Sequence, residues 1–393
     1  MLTSLALIFL LGLTLGAVFT KLKLPALLGM IITGIVLGPY VLNLLDDSII
    51  SISPALRQLA LVIILTRAGL ALNVEDLKQV GRPAVLMCFL PAVFEITGTI
   101  LIAPKLFGIS LLEAAIIGSV IAAVSPAVVV PRMLKLIEEK RGTDKSIPQL
   151  IMAGASVDDV FVIVLFTSFV AFEKGGGFSA GKLLQVPISI VIGIIAGYIV
   201  SIILVKFFKV VHMRDSVKVV IILSVSFLLL ELEKRIGETI PFSALIGIMS
   251  IGIGILKNYD VLAKRLSAKF SKLWVAAEIL LFVLVGATVN IGYAAAAGVL
   301  AVLLVAGAII FRMAGVFFCV TGSKLNKKEK LFTMLAYTPK ATVQAAIGGI
   351  PLAMGLSCGE LVLTIAVLSI LITAPFGALA IDNTYERLLV KSN

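Results

Sequence analysis

Two adjacent acids, Asp158 and Asp159, sit near the centre of the apolar run GASVDDVFVIVLF. Glu95, Arg312 and Lys340 lie comparably deep in other apolar runs. A charge at the centre of a bilayer costs at least ~2.5 kcal/mol on insertion scales, so ionisable residues at such depth default to function. With Arg67 counted, the deep set holds three acids and three bases, and pairing relieves part of the desolvation penalty. Arg67 lies nearer the end of its run, within reach of an interface. Glu113 and Glu278 also read as helix-end residues.

The aspartate pair has a geometric consequence. Neighbours on a helix point about 100° apart at ~3.6 residues per turn. Asp158 and Asp159 therefore cannot face the same partner: one can be held by a cation while the other faces a water-filled cavity. A desolvated carboxylate favours its neutral form unless a hard cation with oxygen ligands sits beside it. Competition of H⁺ and Na⁺ for one such group suffices for exchange, provided the empty site does not reorient. The same divergence argues against an intramembrane aspartyl protease, which needs two carboxylates on one water. No enzymatic role and no cofactor are expected. Cys88, Cys319 and Cys358 lack metal-ligand spacing, and His212 stands alone in a basic loop. The expected metal chemistry is a monovalent cation, Na⁺ or Li⁺, at Asp159 and Asp158.

Such charges need interrupted helices to meet them. One apolar segment reads IAAVSPAVVVP, broken at Ser125-Pro126 and carrying Pro131. Another reads YTPKATVQAAIGGIP, with Pro339, Gly348-Gly349 and Pro351. Proline removes a backbone donor and clashes with the preceding turn. Freed backbone groups at membrane depth are tolerated only when buried in protein or lining a polar cavity. The two are seven segments apart in order, so they cross in opposite directions, as in inverted-repeat transporters. Half-helix ends would then present partial charges to the midplane.

The elements that carry these features are apolar throughout. The chain has 393 residues, 60% hydrophobic and 14% charged, against about a quarter charged in soluble domains. Thirteen apolar segments are predicted, at about 2–20, 24–42, 55–73, 83–103, 110–131, 148–173, 183–209, 217–231, 241–256, 274–290, 293–318, 330–356 and 361–380. The fold class is an all-α membrane protein whose solvent is largely lipid. Residues 2–20 read as a retained span rather than a cleaved signal peptide. The net charge of +11 does not point to nucleic acid, because the bases sit in short connections between segments. Of the 33 Lys and Arg, 24 fall in one alternate set of loops and six in the other, counting Arg57 at a helix edge. That bias puts the N-terminus outside and the C-terminus in the cytoplasm. The stretch 258–273 has Leu262, Leu266, Phe270 and Leu273 at helical spacing among Lys264, Arg265, Lys269 and Lys272. It reads as an amphipathic linker on the cytoplasmic face. The short polar tail after Ala380 leaves no expected soluble regulatory domain.

At these residues the chain resembles the sodium/proton antiporter domain of the monovalent cation–proton antiporter superfamily, nearest the NHA-type exchangers and their bacterial relatives. LPALLGMIITGIVLGP resembles an early helix of the family, SPAVVVP its unwound crossing helix, SVDDV its paired-aspartate helix and PKATVQAAIG its second crossing helix. The resemblance covers essentially the whole chain. It implies that Asp159 is the ion-carrying carboxylate and Asp158 its partner, tethered to Lys340 in some states. It implies a buried pair of Glu95 with Arg312, and polar lining from Ser125, Thr342 and Gln344. Many relatives carry Lys where Arg312 stands. Arg effectively never deprotonates, which leaves the stoichiometry open. The resemblance further implies a homodimer in a bacterial-type plasma membrane and an elevator-like core, about 83–173 and 293–380. The dimerisation part would be about 2–73 and 183–290. K⁺/H⁺ exchange is the runner-up, with an organic-anion symporter or a cation channel more distant.

Overall fold

The structure is a computed structural model that describes residues 1–71, 81–174, 180–236 and 242–391, with side chains at all of these except 156, 160 and 180–187. Lys78, counted among the loop bases, and the side chain of Lys182 lie outside the described residues. Among the described residues each of the thirteen apolar segments contains helix, and the helices in order are α1 (Leu2–Lys21), α2 (Ala26–Leu37), α3 (Asp47–Ala71), α4 (Arg82–Met87), α5 (Leu90–Phe107), α6 (Leu111–Ile121), α7 (Pro126–Glu138), α8 (Ile147–Lys174), α9 (Ala180–Val210), α10 (Asp215–Ile236), α11 (Ala244–Asn258), α12 (Asp260–Ala287), α13 (Ile291–Val320), α14 (Lys327–Ala336), α15 (Thr342–Ile347), α16 (Ile350–Ala353) and α17 (Gly359–Leu388). Among the described residues, nine helical stretches are long and apolar enough to cross a membrane.

Three segments are broken, and each break has a local cause. The fourth is split into α4 and α5 at Cys88 and Phe89, because Pro91 in the first turn of α5 has no N–H to continue the ladder. The fifth is split into α6 and α7, with Ser125 extended and Pro126 opening α7. The twelfth is split into α14, α15 and α16, at Pro339 and then at Gly348-Gly349.

By its internal packing the chain forms two compact units. One comprises Met1–Pro54, Asn73–Val170 and Ile279–Asn393; the other comprises Ala55–Leu72 and Ala171–Glu278. In the first, α5 lies along α13, and Gly98 gives way to the ring of Phe311. Gly118 of α6 lies against the backbone of Ile96, so α5 and α6 approach closely. In the second, α9 lies along α11 through Gly193, Gly197 and Gly247. Large apolar side chains point outward on α1 (Leu2, Leu10, Leu13), α9 (Ile195, Ile199, Ile203) and α13 (Val299, Leu303, Ile310). Helices that expose apolar surface while enclosing charge have lipid as their solvent.

Three sequence expectations are corrected here. The stretch 258–273 is not a surface linker: it forms the first half of α12, with Leu262, Leu266 and Phe270 fully buried. A stripe facing protein and a stripe facing lipid have the same period, so spacing alone could not separate them. Glu278 consequently lies inside α12 and not near its end. Arg57 sits well inside α3 and is buried, because that helix begins earlier, at Asp47, than hydropathy indicates.

Candidate functional site

Interrupting α6 and α7 frees backbone groups that must find partners in a dry interior. They find them on the other interrupted segment and on the helices beside it. The Ile121 carbonyl accepts from Lys340 Nζ at 2.5 Å, and the Ala122 carbonyl accepts from Arg312 Nη1. The Ala123 carbonyl accepts from Gln344 Nε2 at 2.9 Å. On the donor side, Val124 N–H binds Asp158 Oδ2 at 3.0 Å, and Ser125 N–H binds the Pro339 carbonyl at 2.8 Å. The two breaks thus meet, Ser125 against Pro339, and each carbonyl from 121 to 123, at the end of α6 and just beyond it, receives a side chain.

The charges form one connected group. Arg312 Nη2 binds Asp158 Oδ2 at 2.7 Å, and its Nη1 binds Glu95 Oε2 at 2.9 Å. Its Nε donates to the Tyr337 carbonyl at 2.6 Å, and its guanidinium lies 4.9 Å from the Tyr337 ring centre. Lys340 Nζ lies 2.6 Å from Glu95 Oε1. Glu95, Asp158, Arg312 and Lys340 are all fully buried. Charge-assisted bonds of this kind are what allow ions to sit away from water. Two cations therefore stand against two of the three acids.

The third acid is left over. Asp159 is only partly buried, its Oδ1 is enclosed without a hydrogen-bond partner, and among the described residues nothing forms an ion pair with it. Ser125 Oγ, Thr342 Oγ1, Gln344 Oε1 and Asp158 Oδ1 are likewise enclosed and without hydrogen-bond partners. These are hard oxygen atoms, on the elements that meet at the breaks, and hard monovalent or divalent cations take oxygen ligands.

The structure therefore brings Glu95, Asp158, Arg312, Lys340 and Gln344 into one network, with Ser125, Pro126, Pro339 and Thr342 at the breaks. The partner of Asp158 is Arg312, and Lys340 pairs with Glu95 rather than with Asp158. Sequence reasoning missed three contributors. Tyr337 carries Arg312 on its carbonyl and ring, and its hydroxyl donates to the Met87 carbonyl at 3.0 Å. Thr373 Oγ1 accepts the Lys340 N–H at 2.9 Å. The Val124 amide holds Asp158. Only Tyr337 had a signal, its place two residues before Pro339 in YTPK; Thr373 is one of many polar residues in an apolar helix.

Comparison with known proteins gives a consistent result. Residues 5–382 match the family model described as sodium/hydrogen exchanger, transmembrane. Sodium/hydrogen exchanger 9B2 of Homo sapiens is 34% identical over 387 residues, covering 94% of this chain and 70% of the relative. The Xenopus tropicalis 9B2 protein is 32% identical over 402 residues, covering 96% and 73%. Sodium/hydrogen exchanger 9B1 of Homo sapiens is 31% identical over 396 residues, covering 94% and 73%. Among solved structures, the sodium proton antiporter MjNhaP1 of Methanocaldococcus jannaschii at pH 8 superposes with a TM-score of 0.85 at 19% identity, covering 98% of both chains. At that identity the likeness concerns the fold.

Proposed function

We propose, from the premise that the chain belongs to the sodium/hydrogen exchanger family, that its buried charge network is the ion-carrying site of a Na⁺/H⁺ antiporter. The protein is an integral membrane exchanger of Na⁺ and H⁺, a secondary transporter that works by alternating access. Within it, Asp159 is the carrier. The observation that supports this is the carboxylate left without a counter-charge beside two neutralised ones. A negative charge with an enclosed, unpartnered oxygen is costly. One proton removes that cost, and one monovalent cation removes it equally, but both together would restore an imbalance of the opposite sign. H⁺ and Na⁺ therefore exclude each other at Asp159.

Asp158 plays a different part. Its Oδ2 is engaged by Arg312 and the Val124 amide, so Asp158 anchors the break, while Asp159 with Ser125, Thr342 and Gln344 supplies the oxygen ligands to Na⁺ or Li⁺. Lys340 and Arg312 hold Glu95 and Asp158 in place and neutralise the carbonyl ends of the break. We read residues 83–173 and 293–380 as the moving core and 2–73 with 183–290 as the dimerisation part of a homodimer in the plasma membrane. The basic loops then face the cytoplasm, with the N-terminus outside. No step in this cycle makes or breaks a covalent bond other than to hydrogen.

Proteoliposomes with a preset pH gradient test the reading. Na⁺ added outside should dissipate the gradient in the wild type, with Li⁺ and K⁺ added in turn to define the cation. Asp159→Asn, which cannot release a proton, should abolish the response. Full activity of that variant would remove Asp159 as carrier.

A further inference from the structure

The two interrupted spans begin with the same device. Ser110 and Glu113 form a reciprocal cap on α6: the Glu113 N–H donates to Ser110 Oγ at 3.1 Å, and the Ser110 N–H donates to Glu113 Oε2 at 2.8 Å. Asn326 and Glu329 do the same on α14, at 2.9 and 2.7 Å. The same sequence offset separates Ser110 from Asn326, Glu113 from Glu329, and Ser125 from Ala341, the residues that cap the helices beyond the two breaks. The capping boxes are thus corresponding features of the two repeats.

A capping box is complete with its two hydrogen bonds. Each of these glutamates makes a further contact, and in both cases it reaches across to the other repeat. Glu113 Oε1 accepts from the Ser357 hydroxyl at 2.8 Å, in the turn that leads into α17. Glu329 takes Lys145 Nζ on both oxygens, at 3.0 and 2.7 Å, in the turn that leads into α8. Each glutamate therefore joins the start of one interrupted span to the start of the helix that follows the other. Since the chain crosses once between Glu113 and Lys145, the two contacts lie at opposite ends of the crossing.

The four tied elements each carry part of the site. From Glu113, α6 runs to the carbonyls of Ile121 and Ala122; from Glu329, α14 runs to Tyr337 and on to Lys340. From Lys145 the chain enters α8, which carries Asp158 and Asp159. From Ser357 it enters α17, which carries Thr373. Asp158, Lys340 and Gln344 are each held between these elements by at least one contact of 3.0 Å or less. A slip of about 1 Å at a remote anchor can cost on the order of 10²-fold in a site that depends on such geometry.

We propose that Glu113 and Glu329 are positioning residues: a matched pair of latches, one at each end, that set how far the two interrupted spans reach past one another. Neither touches the transported ion. This inference rests on the antiport reading above, and the test separates the two.

The measurement is the Na⁺ dependence of proton movement in proteoliposomes at fixed pH. Ser357→Ala removes one latch and leaves its cap intact. The pair Lys145→Met with Glu329→Gln removes the other, keeps a cap-competent side chain at 329 and leaves no orphaned charge. Each should raise the apparent KM for Na⁺ on the order of tenfold, with kcat near wild type and the melting temperature in detergent little changed. Combining all three substitutions should raise KM by less than the product of the separate effects, because both latches act on one crossing. Lys145→Arg, which can hold Glu329 with two bonds, should retain wild-type KM. Wild-type KM in both latch variants would overturn the proposal, as would a fall in kcat at constant KM. If the Lys145 pair fails to purify, Ser357→Ala decides alone, since its hydroxyl is at an exposed position. A wild type that moves no protons on adding Na⁺ would instead count against antiport itself.

Discussion

Arg312 is the residue on which the buried network turns. It binds two carboxylates and two carbonyls at once, from a side chain with no exposed surface. The planar guanidinium offers five donors in a fixed fork, and four acceptors arranged around it match that geometry. A lysine amine has three donors at one point and cannot span Glu95, Asp158 and the Tyr337 carbonyl together. Arg312→Ala would leave Glu95 with Lys340 alone and Asp158 with a single amide donor. Breaking a buried pair in this way typically costs about 3–5 kcal/mol, so the variant should melt well below the wild type in detergent. Arg312→Lys should fall between the two. An unchanged melting temperature for Arg312→Ala would show that these contacts carry no net stability.

At the scale of elements, two glycines make opposite predictions. Gly197 of α9 lies so close to the Gly247 carbonyl of α11 that a Cβ could be accommodated only by moving backbone. Gly197→Val should therefore push the helices apart and lower stability by about 1–3 kcal/mol, the usual cost of overpacking. Gly298 of α13 faces open space, with nothing within 4 Å of where a methyl group would sit. Gly298→Ala should be neutral or stabilising by about 0.4–1 kcal/mol, since alanine restricts the unfolded chain more. Thermal shift in detergent distinguishes them. Hydropathy and proline placement made most of this architecture readable in advance: among the described residues every predicted segment contains helix, and Pro126 and Pro339 mark real breaks. What stayed hidden depended on contacts between segments. The roles of Glu113 and Glu329 could not be seen, because a capping glutamate looks the same whether or not a second stretch of chain lies beside it. The pairing of Lys340 with Glu95 was equally invisible, since depth in a segment says how costly a charge is but not which neighbour relieves it. The split at Cys88 and Phe89 was missed because Pro91 also fits the first turn of an unbroken helix.

At the scale of the molecule, the distribution of charge makes an argument about orientation. The chain carries a net charge of +11, yet its bases are placed unevenly between the two sets of loops. Translocating basic loops is unfavourable, so the richer set stays in the cytoplasm. If each of the thirteen predicted segments crosses once, as we propose, the ends lie on opposite sides with the N-terminus outside. The native cysteines permit a direct test, because Cys88, Cys319 and Cys358 are all buried and should react little. Leu2 and Val390 are exposed, at 80% and 60%, near opposite ends of the chain. A membrane-impermeant maleimide applied to intact cells should label Leu2→Cys and spare Val390→Cys. In inverted vesicles the pattern should reverse. Labelling of both from the same side would mean an even number of crossings, and a miscount between the two interrupted spans would then require their relative direction to be reassigned.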